Sequence, residues 1–533
     1  MGEIKRGDTF SGYIMGYRSG LLICVIFVLP AVIAGKDYFT AAIFEHRPRA
    51  ESNSTLSPKE TASSNLRFYE KAASLAAKNG ADIIVFNEFG LFPYEPSRDF
   101  LRKFMEHVPD PEKVEFNPCV ENAKDRYILH TLSCMARRNK IFVVANVGDI
   151  HPCNSVCDVS ETKSCADKCP EDGVLMYNTD VAFNPEGKLI ARYHKMHPYF
   201  EVLNVPDEPE YITFDTNFGK FGLIVCFDSV FEEAYILAKE YGIDTLLFPT
   251  HWFDDILPLN AIEFQQSWAL ANGVNFIAAN AQTPGLGTLG SGIFSKETGA
   301  VVYTYEPDGE SKLLLGNIKI KKSSKVPEKS SITVITEDSS YLTTETGKYF
   351  PEHCYESKVG PAKDIYHDYR CFKSQTENYT LIKLETSAGK VEACNNEFCC
   401  SVKYAANDMQ EDFYLAVFNG TNNVKNYYHW CEETCMLIRC DPFDGKPCAI
   451  QPSVSKTVFK TVKMTARFTS PAVYPTVSRN KFRLASKKEW NYYTEKSGVT
   501  LKFESKSNEP LLKVGLMGRC YQRDPPFVPF YKY

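Results

Sequence analysis

Several features that common functions depend on are missing from this sequence. There is no excess of basic residues, since 60 lysines and arginines face 66 aspartates and glutamates, for a formal net charge of −6. Without a positive field to gather phosphates, nucleic acid is not an expected partner. There is no apolar run of about 20 residues, the length that spans a bilayer; the stretch from Leu21 to Ala34 is shorter. The start Met-Gly-Glu-Ile-Lys-Arg lacks the Ser or Thr that a myristoylation signal carries at its sixth position. The end, Pro525 to Tyr533, lacks the long apolar tail that is exchanged for a lipid anchor. No internal repeat and no long low-complexity segment is present, which excludes repeat architectures.

What is present points to the secretory route. Lys5, Arg6 and Arg18 precede the apolar run Leu21–Ala34, and Val32 and Ala34 suit a small-residue cleavage site before Gly35. Residues 1–34 therefore read as a signal peptide. The alternative is an uncleaved signal anchor, favoured by the long polar lead before Leu21. The expectation is a secreted, extracellular protein with no stable membrane anchor after cleavage. Eighteen cysteines fit that compartment, because thiols this numerous are usually paired in secreted chains. Setting aside Cys24, inside the signal, and Cys226 leaves an even number. Asn53, Asn378 and Asn419 each head an Asn-X-Ser/Thr glycosylation triplet.

At 533 residues the chain is too long for one core, so two domains are expected. Residues 35–317 alternate short apolar runs with amphipathic stretches, the pattern of an α/β domain. Asn65–Lys78 reads as a helix ended by Asn79-Gly80, and Ile83–Phe86 and Ile141–Val144 read as buried strands. Tyr177–Phe183 and Leu189–His194 flank the turn Asn184-Pro185-Glu186-Gly187 and read as a hairpin. Leu223–Val225 reads as a strand, then Glu232–Glu240 as a helix; Leu246–Phe248, Ala261–Ala271 and Phe276–Ala279 repeat the alternation. Residues 318–335, rich in lysine and serine, read as an exposed linker. Residues 336–533 hold ten of the cysteines and short β-like runs such as Tyr379–Leu384 and Phe413–Phe418. They read as a smaller, mostly β, disulfide-stapled domain.

Three residues could carry chemistry. Cys226 ends a strand just before a helix, where helix-terminal amides favour a thiolate; set against this, free cysteine is among the most buried residue types. Glu88, in Phe86-Asn87-Glu88-Phe89-Gly90, follows a buried strand between two phenylalanines, where desolvation moves a carboxylate toward the range of a useful base. The bland alternative is a polar residue at a strand exit. Lys195 closes the hairpin strand, and alone it reads as a solvated lysine.

Together these segments resemble the nitrilase superfamily of carbon-nitrogen hydrolases. Phe86–Gly90, Arg192-Tyr193-His194-Lys195 and Phe221-Gly222-Leu223-Ile224-Val225-Cys226-Phe227-Asp228 are similar to its Glu, Lys and Cys motifs, in the same order. Val205-Pro206, Ile212–Thr216, Phe248-Pro249-Thr250-His251-Trp252 and Gly290-Ser291-Gly292-Ile293 place the resemblance within the vanin and biotinidase branch. The resemblance implies a four-layer α-β-β-α sandwich followed by the cysteine-rich domain. It also implies that Cys226 is the nucleophile, Glu88 the general base, and Lys195 the oxyanion partner, helped by the Phe227 N–H. Glu201 resembles a second family glutamate that positions the lysine; an exposed loop glutamate is the alternative. Neither metal nor cofactor is implied, and the partner is a small-molecule amide.

Some residues depart from the branch. Ser229-Val230-Phe231 follows Asp228 where Ile-Leu-Phe is usual, and Pro198 in the loop Met196–Glu201 suits neither vanins nor biotinidases. Both are expected to touch the pocket and leave the substrate open between pantetheine, a biotinyl amide and another amide. Cys153-x3-Cys157-x7-Cys165-x3-Cys169 departs from the two-residue zinc spacing, and with a secretory signal it reads as disulfides. No Cys-Gly-Ser-Cys-Trp run surrounds Cys226, which argues against a papain-like mechanism. A catalytically silent binding protein on the same fold, and an acyl transferase, remain the alternatives to a hydrolase.

Overall fold

Residues on the first three strands alternate between two different cores. The computed structural model describes residues 36–49, 56–153, 169–254, 260–283, 287–320, 327, 329–336, 376–424, 426–443 and 445–530. Along β1 (Tyr38–Glu45), β2 (Ile83–Phe86) and β3 (Phe142–Pro152), Ala42, Phe44, Ile84, Phe86, Val143 and Ala145 share one cluster. Ala41, Ile43, Ile83, Val85 and Val144 belong to another. A period of two puts successive side chains on opposite sheet faces, so this sheet is covered on both sides.

Its outer face carries two helices, α1 (Pro58–Lys78) and α2 (Tyr127–Asn139), through Leu66, Tyr69, Ala73, Leu129 and Leu132. α1 begins seven residues before the sequence reading, because Ser57 caps it. Ser57 and Glu60 form a reciprocal capping box and Pro58 opens the first turn, all three being start signals readable from sequence. The sheet continues through β4 (Val174–Phe183) and β5 (Leu189–His194), and closes with β12 (Lys312–Lys319) and β13 (Ser330–Val334). Its order is β13-β12-β1-β2-β3-β4-β5. The stretch read as a linker thus contains an edge strand. β13 is exposed, but its main chain pairs antiparallel with β12, and pairing by backbone alone leaves no trace in composition.

A second sheet packs on the inner face of the first. Its strands are β6 (Thr213–Thr216), β7 (Gly219–Leu223), β8 (Thr245–Thr250), β9 (Asn275–Asn280), β10 (Ser291–Ser295) and β11 (Gly299–Thr304), in the order β11-β10-β9-β8-β7-β6. The far side carries α3 (Glu232–Glu240) and α4 (Ala261–Asn272), whose Leu237 and Trp268 join the same core as Phe276. The four layers are therefore helix, sheet, sheet, helix.

The remainder is a β-sandwich. One sheet is β14 (Thr380–Lys383), β17 (Phe413–Val424), β18 (Tyr428–Arg439), β25 (Leu511–Arg519) and β22 (Val473–Arg479). The other is β15 (Ala388–Asn395), β16 (Phe398–Ala406), β21 (Phe459–Ala466), β24 (Gly498–Glu504) and β23 (Trp490–Glu495). Leu415, Leu437 and Val514 meet Val402, Val462 and Phe503 between them. Disulfides Cys394–Cys399, Cys400–Cys435, Cys431–Cys520 and Cys440–Cys448 staple this domain, and Cys119–Cys134 and Cys153–Cys169 the first. The Cys153–Cys169 bridge agrees with the disulfide reading of that segment; Cys157, Cys165 and Asn53 lie outside the described residues.

α4 lies between the second sheet and the sandwich. Ser267 Oγ donates to Pro475 O at 2.5 Å, and Lys513 Nζ pairs with Glu263 Oε2 at 2.6 Å, both groups buried. On the opposite flank Trp268 is fully buried, 5.0 Å from the ring of Phe276. Truncating such an aromatic removes its transfer energy and leaves a cavity. Trp268→Ala is expected to lower stability by about 3–5 kcal/mol in a denaturant titration, with a loss below about 1 kcal/mol contradicting this packing.

Candidate active site

The site forms where three strand ends stop pairing. Glu88 follows β2, Lys195 follows β5, and Cys226 lies three residues beyond β7. The expected strand Leu223–Val225 pairs only as far as Leu223; Cys226 opens a short 3-10 turn, Cys226–Val230, ahead of α3. Cys226 has φ 46°, Phe89 beside Glu88 has φ 55°, and Phe200 beside Glu201 has φ 51°. Non-glycine residues in this left-handed region carry strain that only a well-determined surrounding sustains. Each of the three therefore turns the chain sharply at a functional side chain.

Glu88, Lys195, Glu201 and Cys226 are respectively 0, 1, 3 and 5 % exposed. Lys195 Nζ lies 2.6 Å from Glu88 Oε1 and 2.5 Å from Glu201 Oε1. Glu201 is thus a buried partner of the lysine and not an exposed loop residue. Burial works against the ammonium, but the charges of Glu201 and Glu88 outweigh it and hold the Lys195 pKa well above its ordinary value. Asn178 Nδ2 bridges the two carboxylates, donating to Glu88 Oε1 at 2.7 Å and Glu201 Oε2 at 3.0 Å. Its own Oδ1 accepts from Asn146 Nδ2 at 2.7 Å, which fixes the amide's orientation. The His251 main-chain N–H donates to the other Glu88 oxygen at 2.7 Å.

Cys226 is free and faces this ion cluster. Burial, then the negative charge of Glu88, pushes its thiol well above the ordinary range, with Lys195, Thr250 and the His251 main chain pulling the other way. The sequence reading of a helix-favoured thiolate is therefore corrected. The turn is a short 3-10 segment, and desolvation exceeds what its amides supply. The resting thiol keeps its proton beside a carboxylate that can take it. The neighbouring imidazole cannot do so: burial, with Lys195 adding, pushes His251 down to about 3.

Asp228 fixes the turn at Cys226. Fully buried, it accepts from the Tyr193 hydroxyl at 2.7 Å and from the main-chain N–H of Val225 and His197 at 3.2 and 2.7 Å. A narrow cleft opens at Cys226, lined by Tyr199, Phe227, Trp252 and Phe253. The departures at Ser229 and Val230 are not among its lining residues, which corrects the expectation that they touch the pocket. Ser229 Oγ bonds back to Cys226 O at 2.8 Å, Val230 O accepts from Arg519 Nε at 2.9 Å, and Phe231 stacks on His197. Pro198 acts through its carbonyl, which accepts from the Tyr428 hydroxyl at 3.1 Å.

Sequence reasoning missed four supporting residues. Asn146 is a polar residue between Ala145 and Val147 inside a strand, a signal that was available, whereas Asn178 stands beside Thr179 and Asp180, where it is less conspicuous. Asp228 stands within the Cys226 motif. Tyr428 belongs to the second domain, more than 200 residues away, and nothing local marks it.

Two family models match this chain: carbon-nitrogen hydrolase over residues 41–323 and vanin C-terminal domain over residues 369–524. Among curated relatives, the chain is similar to the pantetheinase of Mus musculus, 33% identical, with 92% of this chain and 90% of the relative covered. It is likewise similar to the biotinidase of Takifugu rubripes, at 33% identity with coverage of 85% and 88%. With the biotinidase of Homo sapiens the identity is 29%, with coverage of 92% and 90%.

The raised thiol pKa has a direct consequence. Iodoacetamide reacts with thiolate, so alkylation of Cys226 in the folded protein should be slow at neutral pH and still accelerating as pH passes 9, the ordinary thiol value. Peptide mapping of the alkylated protein over pH 6–10 reads this; a rate that levels off near neutrality would show a stabilised thiolate instead.

Proposed function

Because this chain belongs to the carbon-nitrogen hydrolase family and carries a vanin C-terminal domain, we propose that it hydrolyses a linear amide of a vitamin conjugate through a Cys226 thioester. The observation that carries the reading is the free, buried Cys226 within electrostatic reach of a Glu88–Lys195 pair held at 2.6 Å. A silent binding protein has no need to keep two carboxylates and a lysine out of water beside an unpaired thiol, at a cost of several kcal/mol per buried ion.

Glu88 takes the thiol proton as the sulfur attacks the amide carbon, and returns it to the departing amine. Glu88 Oε2 is held by the His251 N–H and Oε1 by Asn178 and Lys195, so the carboxylate cannot swing away between these transfers. The oxyanion is stabilised by the Lys195 ammonium and the Phe227 N–H, fixed charges that need no reorganisation. Glu201 keeps Lys195 charged throughout. Water activated by Glu88 then frees the acid from the thioester.

The relatives named pantetheinase and biotinidase direct the substrate toward pantetheine, yielding pantothenate and cysteamine, or toward a biotinyl amide such as biocytin. Purified protein should release cysteamine from pantetheine or lysine from biocytin, and Cys226→Ala should abolish the release, a loss on the order of 10⁶ in kcat. Unimpaired turnover in Cys226→Ala would remove the mechanism; release of neither amine by the wild type would remove this substrate class.

Secretion belongs to the same proposal. It rests on the apolar run Leu21–Ala34, on the disulfides in both halves, and on the exposed glycosylation triplet at Asn378; Asn419, half-buried on β17, is the second described triplet. No helix among the described residues is long and apolar enough to cross a membrane. Expressed in a secretory cell, the protein should reach the medium with a new amino terminus near Gly35 and with sugar removable by an N-glycosidase. Recovery only in membranes with Met1 retained would favour the signal anchor.

A further inference from the structure

His107, Asp149 and His151 converge near the end of β3 in the first sheet. Each offers a ligand atom, and these atoms all lie within 4.8 Å of one another. The convergence is built by the backbone. Asp149 and His151 are two apart on β3, so they share one face of the sheet. The segment carrying His107 runs alongside β3 as an extra bridge. Glu106 N donates to Gly148 O at 3.1 Å, Ile150 N donates to Glu106 O at 3.2 Å, and Val108 N donates to Asp149 Oδ1 at 2.8 Å. The rings of His107 and His151 consequently meet edge to face, 4.6 Å between centroids.

We propose that His107, Asp149 and His151 bind a divalent transition-metal cation of the zinc class. Two imidazoles and one carboxylate are a donor set suited to such an ion, with water completing four-coordination. Donors on a tetrahedral ion with bonds of about 2.0–2.1 Å stand about 3.3 Å apart. His151 Nε2 and Asp149 Oδ2 stand 2.8 Å apart, so the ion replaces their hydrogen bond with two coordinate bonds while the His151 ring proton is carried on Nδ1. His107 is exposed and closes the remaining distance from the solvent side, which is also the access path.

The outer partners are those that orient metal ligands. Asp149 Oδ2 also receives His194 Nε2 at 3.1 Å, and His194 Nδ1 is held by Glu210 Oε1 at 2.8 Å. Arg126 and Arg192 lie within electrostatic reach of His107. They oppose ions bound by charge alone, such as calcium or magnesium, and select for one bound through imidazole.

The test is independent of turnover. Purified full-length protein, stripped with a chelator, is titrated with Co2+ as a spectroscopic probe and then with Zn2+. One Co2+ per chain is expected, with visible absorption bleached stoichiometrically by Zn2+. His107→Ala, a change at an exposed position, should weaken binding about 100-fold or more, since loss of even an outer partner costs 10–100-fold. His151→Gln should do the same with unchanged circular dichroism. Cys226→Ala should bind like the wild type, which separates this site from the free thiol. Absence of stoichiometric Co2+, or equal binding by the wild type and His107→Ala, would overturn the proposal.

Discussion

The buried cluster of Glu88, Lys195 and Glu201 is the constraint around which the first half of this protein is arranged. Two carboxylates and one ammonium lie out of water, where each would cost several kcal/mol if left unpaired. They persist because every member is satisfied by another: Lys195 bonds both carboxylates, Asn178 bridges them, and His251 closes the set on Glu88. The two-sheet sandwich supplies the dry interior that makes these interactions strong. It also ends strands β2, β5 and β7 at one rim, so residues far apart in sequence meet there. The left-handed turns at Phe89, Phe200 and Cys226 are strain sustained by that same over-determined set.

The proton inventory follows from the cluster. Burial keeps the Cys226 thiol protonated at rest, and the nearby imidazole of His251 is pushed down to about 3. A thiol–imidazole ion pair is thereby disfavoured, which supports the proposal that the carboxylate of Glu88 acts as the base. The loop Met196–Glu201 carries both the lysine's second partner and the cleft residue Tyr199, so its position governs charge and shape together.

The second domain braces that loop. The Tyr428 hydroxyl receives the Phe200 N–H at 2.7 Å and donates to Pro198 O at 3.1 Å. Phe527 packs on His197 and Phe231, and Phe530 on Phe200. Arg519 reaches from β25 to the Val230 carbonyl within the Cys226–Val230 turn, its guanidinium paired with Asp524 at 2.6 Å. The β-sandwich is thus a structural wall of the site, and the buried Lys513–Glu263 pair ties it to α4.

Much of this was legible in the linear chain. The strand periods and the Asn184–Gly187 turn mark an α/β domain, because local propensity is a property of short segments; the four-layer order and the choice of Glu88, Lys195 and Cys226 came from the resemblance of their motifs to the nitrilase superfamily. The capping box at Ser57–Glu60 and the polar interruption at Asn146 were equally present in the sequence and went unread. The ionisation of Cys226 was not available there. A helix-favoured thiolate is what strand-then-helix suggests, and only the packed interior decides that desolvation prevails. Nor could the sequence decide whether Glu201 is the buried partner of Lys195 that the resemblance implies or an exposed loop residue, or join Tyr428 to the loop at Pro198 or His107 to His151. Those pairings depend on which strand ends and which domains the tertiary structure brings together, and on the burial that turns proximity into interaction energy.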